Sequence, residues 1–140
     1  MNSTPFIIRG ANGASFAPSK SILLEKRVIY IDKVINGESV SDYIQQVIVL
    51  AQQSKEPITF LINTPGGSIQ DGLALIDVMK GCGCTVKTYS LGIAASMGAL
   101  ILAAGTKGHR FATKYSRVMI HEPLLNGGVQ GSCSTIQAHA

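Results

Sequence analysis

The sequence has no tryptophan and few aromatic residues, which limits what its core is made of. Aromatic side chains make up 6% of the 140 residues, whereas hydrophobic residues as a whole make up 46%. Small aliphatic side chains must therefore fill most of the interior. Charged residues are also scarce, at 14%. This apolar balance excludes an intrinsically disordered chain and favours one folded domain.

Cysteine is too sparse to support a disulfide framework or a structural zinc site. The cysteines are Cys82, Cys84 and Cys133, and a structural zinc site ordinarily needs four ligands. We therefore expect reduced thiols in a cytoplasmic protein, without metal or cofactor. The net charge of +4 comes from scattered basic residues. This scatter favours a solvated or subunit-facing surface over nucleic-acid binding.

No segment has the pattern of a membrane span or of a signal peptide. The most apolar stretch, residues 91–104, is interrupted by Ser96 and Gly98 and is too short to cross a bilayer. The run from Met1 to Arg9 lacks a basic segment followed by a long apolar stretch. We therefore expect no membrane partner.

Short β-branched runs alternate with helical spacing along the chain. Residues 1–20 are rich in Gly, Ser, Asn and Pro, which predicts a flexible N-terminal arm ahead of one domain over 21–140. The predicted strands and helices, in chain order, are strand 27–31, helix 41–53, strand 58–62, helix 69–80, strand 85–91, helix 94–104 and strand 117–120. This alternation predicts an α/β fold with buried, largely parallel strands.

Two local signals refine this prediction. The dipeptide Asn36-Gly37 predicts a turn. Ser41 is expected to be the N-cap of the first helix, which follows that turn. The second helix has an apolar spacing that places one set of side chains against the core: Ile69, Leu73, Ile76 and Met79.

Three short segments that follow predicted strands carry the residues suited to chemistry. The turn Pro65-Gly66-Gly67 presents backbone N–H groups at a helix N-terminus, where they can bind a phosphate or an oxyanion; a plain strand-to-helix turn has the same sequence. Ser96 is either a helix N-cap or a nucleophile beside free N–H groups. His121 is either a surface residue or a general base held at a strand end.

Taken separately, these segments do not single out one chemistry. Ala94 stands where the G-x-S-x-G elbow of α/β-hydrolases has its first glycine. His109, in a basic turn, and His139, beside the chain end, are weaker candidates for a base than His121. A serine hydroxyl is a poor nucleophile until a base takes its proton. The pairing of Ser96 with His121 is therefore the hypothesis that gives the segments a joint role.

Longer runs around these residues closely resemble the proteolytic subunits of the Clp protease (ClpP) family. In chain order they are Ile62-Asn-Thr-Pro-Gly-Gly67, Gly92-Ile-Ala-Ala-Ser-Met-Gly-Ala99, Leu102-Ala-Ala-Gly-Thr-Lys-Gly108, Ser116-Arg-Val-Met-Ile-His121 and Gln130-Gly131. The resemblance extends from Leu23 to the chain end and is strongest over 60–123. It implies the ClpP/crotonase-like fold, a right-handed spiral of β-β-α units.

The resemblance also implies an activity and its residues. Members of this family are serine endopeptidases with a Ser-His-Asp triad, in which Ser96 matches the nucleophile and His121 the base. Gly66 and Met97 match the residues whose backbone N–H groups form the oxyanion hole. The segments that match the substrate-binding edges, where a peptide is held as an added strand, are Gly67, Ser68, Ile69, Leu124 and Leu125.

An assembly is implied as well. The family forms two stacked seven-membered rings, a tetradecamer, around a chamber that a hexameric AAA+ unfoldase supplies with unfolded polypeptides. The expected function is therefore that of an ATP-dependent Clp protease proteolytic subunit in homo- or hetero-oligomeric rings.

The sequence departs from the family pattern near its end. The family's triad aspartate lies beyond residue 140 in this numbering, so we expect the C-terminal part of the domain to be missing from the chain. Glu122, where the family has Gln, is adjacent to His121 on a strand end, and such neighbours point apart. Residues 34–41 also look different from the family segment, which indicates a divergent paralogue.

Other functions remain open at this point. The missing acid leaves room for a non-catalytic or regulatory ring subunit that modulates an active partner. A crotonase-type acyl-CoA enzyme has a similar fold and oxyanion hole but uses no Ser-His pair. A relative of the signal peptide peptidases would pair serine with lysine rather than with His121.

Overall fold

The computed structural model describes residues 4–122 of the chain. Five of the seven strands in this range form one parallel sheet, and the first two strands form a separate pair. The strands are β1 (Pro5–Gly10), β2 (Gly13–Pro18), β3 (Val28–Ile31), β4 (Ile58–Thr64), β5 (Val86–Ala95), β6 (Arg110–Ala112) and β7 (Arg117–Met119). The helices are α1 (Ser19–Glu25), α2 (Gly37–Gln53), α3 (Ile69–Gly81) and α4 (Met97–Ala103). The predicted α/β class with parallel strands is confirmed.

Strand β5 is long enough to take two partners on one side. The sheet order is β3-β4-β5-β6, and β7 pairs with β5 beyond β6. The first part of β5, Thr88 to Ser90, pairs with β6, which the sequence did not predict, and the last part, Ile93 to Ala95, pairs with β7. The shared edge brings the end of β7 to the end of β5.

The core is aliphatic, as the scarcity of aromatic residues predicted. Phe60 on β4 and Tyr43 on α2 are the aromatic side chains within it, and Phe60 is fully buried. Most of the remaining core comes from β3, β4, α2 and α3: Ile29, Ile31, Ile58, Ile62, Val47, Leu50, Leu75 and Met79. Each such side chain contributes roughly 1.5–3 kcal/mol by leaving water.

Helix α2 begins four residues earlier than the predicted cap at Ser41. Asn36 is the N-cap, and its Oδ1 accepts from the Ser39 N–H at 2.9 Å. The Ser39 hydroxyl in turn accepts from the Asn36 N–H at 3.1 Å. This reciprocal capping box satisfies two backbone donors, so Asn36-Gly37 starts a helix rather than a separate turn.

Helix α3 turns only part of the predicted face to the core. Met79 is buried and Ile76 is partly buried against the core, as predicted. Ile69 and Leu73 are 43% and 47% exposed, whereas Gly72, Leu75 and Met79 are buried. A side chain at Gly72 would overlap the Met97 side chain. The helix therefore packs on α4 through its glycine, a contact that apolar spacing does not reveal.

The residues before the sheet are more regular than the predicted arm. Strands β1 and β2 pair antiparallel, from Pro5 opposite Pro18 to Gly10 opposite Gly13, and α1 follows directly. Most of their side chains are exposed, including Phe16 at 74%. Residues 5–18 of the predicted arm therefore form a regular hairpin; the flexibility of the arm and the division at residue 20 stay predictions.

Candidate active site

The predicted site segments meet where two neighbouring parallel strands end. Thr64, the last residue of β4, pairs with Ala94 near the end of β5. The turn Pro65-Gly66-Gly67 and the Ser96 junction therefore leave the sheet side by side. This proximity follows from parallel pairing, which gathers the carboxyl ends of strands at one edge.

Ser96 joins β5 to α4 in a strained backbone conformation. Its φ and ψ are 55° and −118°, and Arg27 is the one other residue besides glycine with a positive φ in the described chain. Such a conformation costs on the order of 1–3 kcal/mol for a residue with a Cβ. The Ser96 N–H donates to the Met119 carbonyl at 2.8 Å. That bond ties the junction to β7.

The Ser96 side chain does not cap the helix that it precedes. Its hydroxyl makes no cap hydrogen bond to α4, and it has no hydrogen-bond partner elsewhere within residues 4–122. The N-cap explanation for this serine is therefore wrong. A strained backbone that presents an unbonded, partly exposed hydroxyl at a strand-to-helix junction is the arrangement that a nucleophile needs.

Glycine is required where the Pro-Gly-Gly turn approaches Ser96. A Cβ at Gly66 would lie 2.8 Å from the Ser96 Cβ and 3.1 Å from the Met97 nitrogen. Gly66 also has a φ of 99°. Both facts favour glycine, because another residue would be strained and would push the serine away.

Backbone donors are present on both sides of Ser96. The Met97 N–H is in the first turn of α4, where no intrahelical acceptor exists. The Gly66 N–H, predicted as the second donor, instead donates to Thr64 Oγ1 at 3.2 Å. The Gly67 N–H has no acceptor within the described residues. It is therefore the free donor of the turn.

The turn itself is fixed by the strand-to-helix segment before α2. The Ile35 N–H donates to the Gly66 carbonyl at 2.8 Å, and the Ser68 N–H donates to the Ile35 carbonyl at 2.7 Å. Ser68 also caps α3, because its hydroxyl accepts from the Asp71 N–H at 3.2 Å. The predicted substrate residues Gly67 and Ile69 lie beside it and are exposed.

His121 lies two residues beyond the end of β7, on the same edge of the sheet. Met119 pairs with Ala95, the residue before Ser96. The His121 ring is exposed, and its Nδ1 lies 2.6 Å from the Glu122 carbonyl oxygen. A carbonyl can only accept, so in the neutral ring this contact favours the tautomer with its hydrogen on Nδ1. No hydrogen bond joins this ring to Ser96 within residues 4–122.

Supporting residues that the sequence reasoning missed lie at the end of β4. The Thr64 hydroxyl donates to the Lys33 carbonyl at 2.7 Å and accepts from Gly66. Asn63 Oδ1 accepts from the Ile93 N–H at 3.3 Å. These two residues could have been found in the sequence, because Asn63 and Thr64 are adjacent polar residues at the end of a mostly apolar strand. Leu124 and Leu125, the remaining predicted substrate residues, lie outside the described residues.

Within residues 4–122, no group of three or more His, Cys, Asp or Glu side chains is placed to hold a metal ion. None of the helices in that range is long and apolar enough to cross a membrane.

Comparison with known proteins gives consistent matches. The sequence model of the Clp protease family matches residues 11–140. An ATP-dependent Clp protease proteolytic subunit from Bdellovibrio bacteriovorus is 44% identical over 122 residues, which are 86% of this chain and 58% of that protein. Subunit 1 from Mycobacterium tuberculosis is 42% identical over 119 residues, covering 84% of this chain and 58% of that protein.

A solved structure gives the same result for the fold. The crystal structure of the ClpP protease catalytic domain from Plasmodium falciparum superposes with a TM-score of 0.73 at 38% identity, covering 74% of this chain and 60% of that chain. This match confirms the predicted ClpP/crotonase-like fold. The chain spans less than two thirds of the length of the relatives it matches.

Proposed function

Because the chain belongs to the Clp protease family, we propose that it acts as the proteolytic subunit of an ATP-dependent Clp protease, with serine endopeptidase chemistry. The observation that carries the proposal is the conformation of Ser96. Its backbone is strained, its hydroxyl is unbonded within the described residues, and the Met97 N–H follows it in the first turn of α4. Strain of this kind persists where function needs it.

The proposed reaction is acyl transfer from a peptide to Ser96 and then to water. Ser96 Oγ attacks the carbonyl carbon of the scissile peptide bond while Nε2 of His121 takes the hydroxyl proton. The Met97 N–H and the Gly67 N–H stabilise the resulting oxyanion, and Gly66 provides the space for their approach. His121 then protonates the leaving amine and activates the water that releases the acyl group.

The Glu122 carbonyl supports the role of His121 in this proposal. Its contact with Nδ1 selects the tautomer whose Nε2 can accept a proton. The catalytic bond forms when the exposed ring turns Nε2 towards Ser96, since such bonds tighten in the substrate complex.

Substrate is proposed to bind as an extended strand along the exposed residues Gly67 to Ile69, with Leu124 and Leu125 on its other side. Strand addition uses main-chain hydrogen bonds, so it suits unfolded polypeptides of varied sequence. Unfolded chains are proposed to come from a hexameric AAA+ unfoldase in the cytoplasm.

Assembly into stacked seven-membered rings is part of the proposal. The described surface carries many large apolar side chains, which is typical of a protein that buries area against partners. They include Ile48, Val49, Leu73, Leu100, Phe111, Val118 and Ile120.

The test is hydrolysis of a fluorogenic peptide by the full chain, alone and mixed with an active relative. Ser96→Ala should lower the rate at least about a thousandfold, because the nucleophile is lost. Ser116→Ala is the matched control, since the Ser116 hydroxyl donates to the Thr113 carbonyl at 2.9 Å and is not placed in the site.

Two outcomes would contradict the proposal. Equal hydrolysis by Ser96→Ala and by the unsubstituted chain would exclude Ser96 as the nucleophile. A chain that changes the rate of an active relative equally with Ser96 or with alanine would be a regulatory ring subunit instead.

A further inference from the structure

Cys82 and Cys84 lie together in the connection between α3 and β5, at the opposite end of both elements from Ser96. Gly83 between them has a φ of 78°, in the left-handed region that glycine adopts readily. The Cys84 N–H donates to Cys82 Sγ at 3.5 Å, and Cys84 Sγ lies 3.9 Å from the Cys82 carbonyl oxygen. The turn therefore places each sulfur against the backbone of the other cysteine. The thiols also contact neighbouring carbonyls, Cys82 Sγ that of Met79 at 3.2 Å and Cys84 Sγ that of Ser54 at 3.7 Å.

Two basic side chains flank this dithiol. Arg27 Nη2 lies 3.9 Å from Cys84 Sγ, and Lys55 Nζ lies 3.3 Å from the Cys82 carbonyl oxygen. Both cysteines are partly exposed rather than sealed in the core. Positive charge and access to solvent are what distinguish reactive cysteines from inert buried ones.

The surroundings of Cys84 disfavour its thiolate. Burial raises the pKa of the Cys84 thiol, and the neighbouring Cys82 raises it further, against the smaller opposing effects of Lys55 and Arg27. Ionisation of one thiol therefore disfavours ionisation of the other. Cys82, whose sulfur accepts the Cys84 N–H, is placed to be the first nucleophile, and Cys84 the second.

We propose that Cys82 and Cys84 form a thiol–disulfide exchange site that closes reversibly to an intramolecular disulfide on reaction with a small-molecule disulfide such as oxidised glutathione. The proposal does not depend on proteolysis by Ser96.

The exchange balances in two steps. The Cys82 thiolate attacks one sulfur of the small disulfide, breaks its S–S bond and releases one thiolate, which takes up a proton. The Cys84 thiolate then attacks Cys82 Sγ in the mixed disulfide and expels the second small thiolate. In total, two thiols lose two electrons and two protons, and one small disulfide becomes two small thiols.

The short turn makes the closed form labile. A ring with one intervening residue gains little stability from loop closure and has restricted disulfide geometry. Strained and accessible disulfides have the more oxidising potentials, which is typical of reversible rather than structural bonds. We therefore expect excess thiol to reopen the disulfide readily.

The test uses the full chain with Cys133→Ser, which removes the remaining cysteine. The reduced protein is treated with oxidised glutathione, and its intact mass and peptide map are measured. The expected product is lighter by two hydrogen atoms, retains no glutathione and returns to its original mass with excess thiol. A protein that stays reduced, or that accumulates two glutathione adducts, would overturn the proposal.

Single substitutions separate the roles of the two cysteines. Cys84→Ser should trap one glutathione on Cys82, because no second thiol can expel it; Cys84→Ala serves equally if the serine variant does not fold. Cys82→Ser should react roughly tenfold more slowly. The remaining Cys84 thiol has a raised pKa, so it forms less of the thiolate that attacks. Equal rates for the two variants would contradict the assigned order of attack.

Discussion

Arg27 and Ser96 share a strained backbone but differ completely in what their side chains do. Both have a positive φ, 62° for Arg27 and 55° for Ser96. The Arg27 guanidinium donates to the carbonyl oxygens that follow and end α2, namely those of Leu50, Ser54, Glu56 and Pro57. The Ser96 hydroxyl has no hydrogen-bond partner in the described part of the chain.

The comparison shows two ways in which strain persists in one fold. At Arg27 the cost, on the order of 1–3 kcal/mol, is offset by its own charge-assisted hydrogen bonds, at about 1.5–3 kcal/mol each. At Ser96 the strain is held by neighbours: the close approach of Gly66 and the bond from the Ser96 N–H to the Met119 carbonyl. Strain at Arg27 serves stability, whereas strain at Ser96 serves exposure of its hydroxyl.

The largest effect that separates the two regions is expected from His121→Ala. Peptide hydrolysis should fall about a thousandfold or more, because the Ser96 proton loses its acceptor. The urea midpoint should stay close to that of the unsubstituted chain, because His121 is exposed. Unchanged hydrolysis by His121→Ala would show that His121 is not the general base for Ser96.

Arg27→Ala should have the opposite profile. Its removal takes the guanidinium donors away from the carbonyl groups at and after the end of α2, so the free energy of unfolding should fall by about 2–4 kcal/mol. Urea unfolding measures this loss, and Arg27→Lys should recover part of it because lysine lacks the planar fork. An unchanged urea midpoint for Arg27→Ala would show that the guanidinium bonds of Arg27 do not stabilise the fold.

Gly66→Ala tests whether contact, rather than backbone conformation alone, matters at the site. The new Cβ would lie 2.7 Å from the Ala95 carbonyl oxygen, so we expect a loss of about 1–3 kcal/mol and reduced hydrolysis. Gly13→Ala is the matched control, because Gly13 also has a positive φ, 112°, but has no neighbour within 4 Å of an added Cβ. Equal losses of hydrolysis in both variants would show that crowding of Ser96 is unimportant.

The smallest expected effect is a gain of stability in Ser96→Gly. Glycine adopts a positive φ without steric cost, so thermal unfolding should report about 1 kcal/mol of added stability while hydrolysis is lost. Arg27→Gly relieves the same backbone strain but removes the guanidinium bonds, so it should be destabilising. A loss of stability in Ser96→Gly would contradict the account of strain at the nucleophile.

The sequence predicted the sheet better than the details that make the site work. Apolar runs identified β3, β4 and β5, because buried parallel strands are rich in hydrophobic residues. The run Val118 to Ile120 also identified β7, although the residues of that strand are exposed. The approach of the Pro-Gly-Gly turn to Ser96 follows from the order of those strands. The short strand β6 was missed, since it has no run of large apolar residues like Val118 to Ile120 at β7.

What escaped the sequence was geometry that depends on tertiary contact. The rotation of α3 depends on Gly72 packing against Met97, and the start of α2 depends on a side-chain exchange between Asn36 and Ser39. The positive φ of Ser96 has no local signal, because serine does not favour that conformation. The sequence alone does not show which N–H of the Pro-Gly-Gly turn is free to bind an oxyanion, because that depends on the hydrogen bond from the Gly66 N–H to Thr64 Oγ1.

The most direct test of the central claim is site-resolved labelling with a fluorophosphonate, which reacts with activated serine hydroxyls. The full chain is treated with the reagent and the modified residue is mapped by mass spectrometry, with Ser96→Ala and His121→Ala alongside. We expect one adduct, on Ser96. Ser96→Ala should abolish it, and His121→Ala should strongly slow its formation. An adduct on another serine, or labelling of Ser96 that is equally fast without His121, would contradict it.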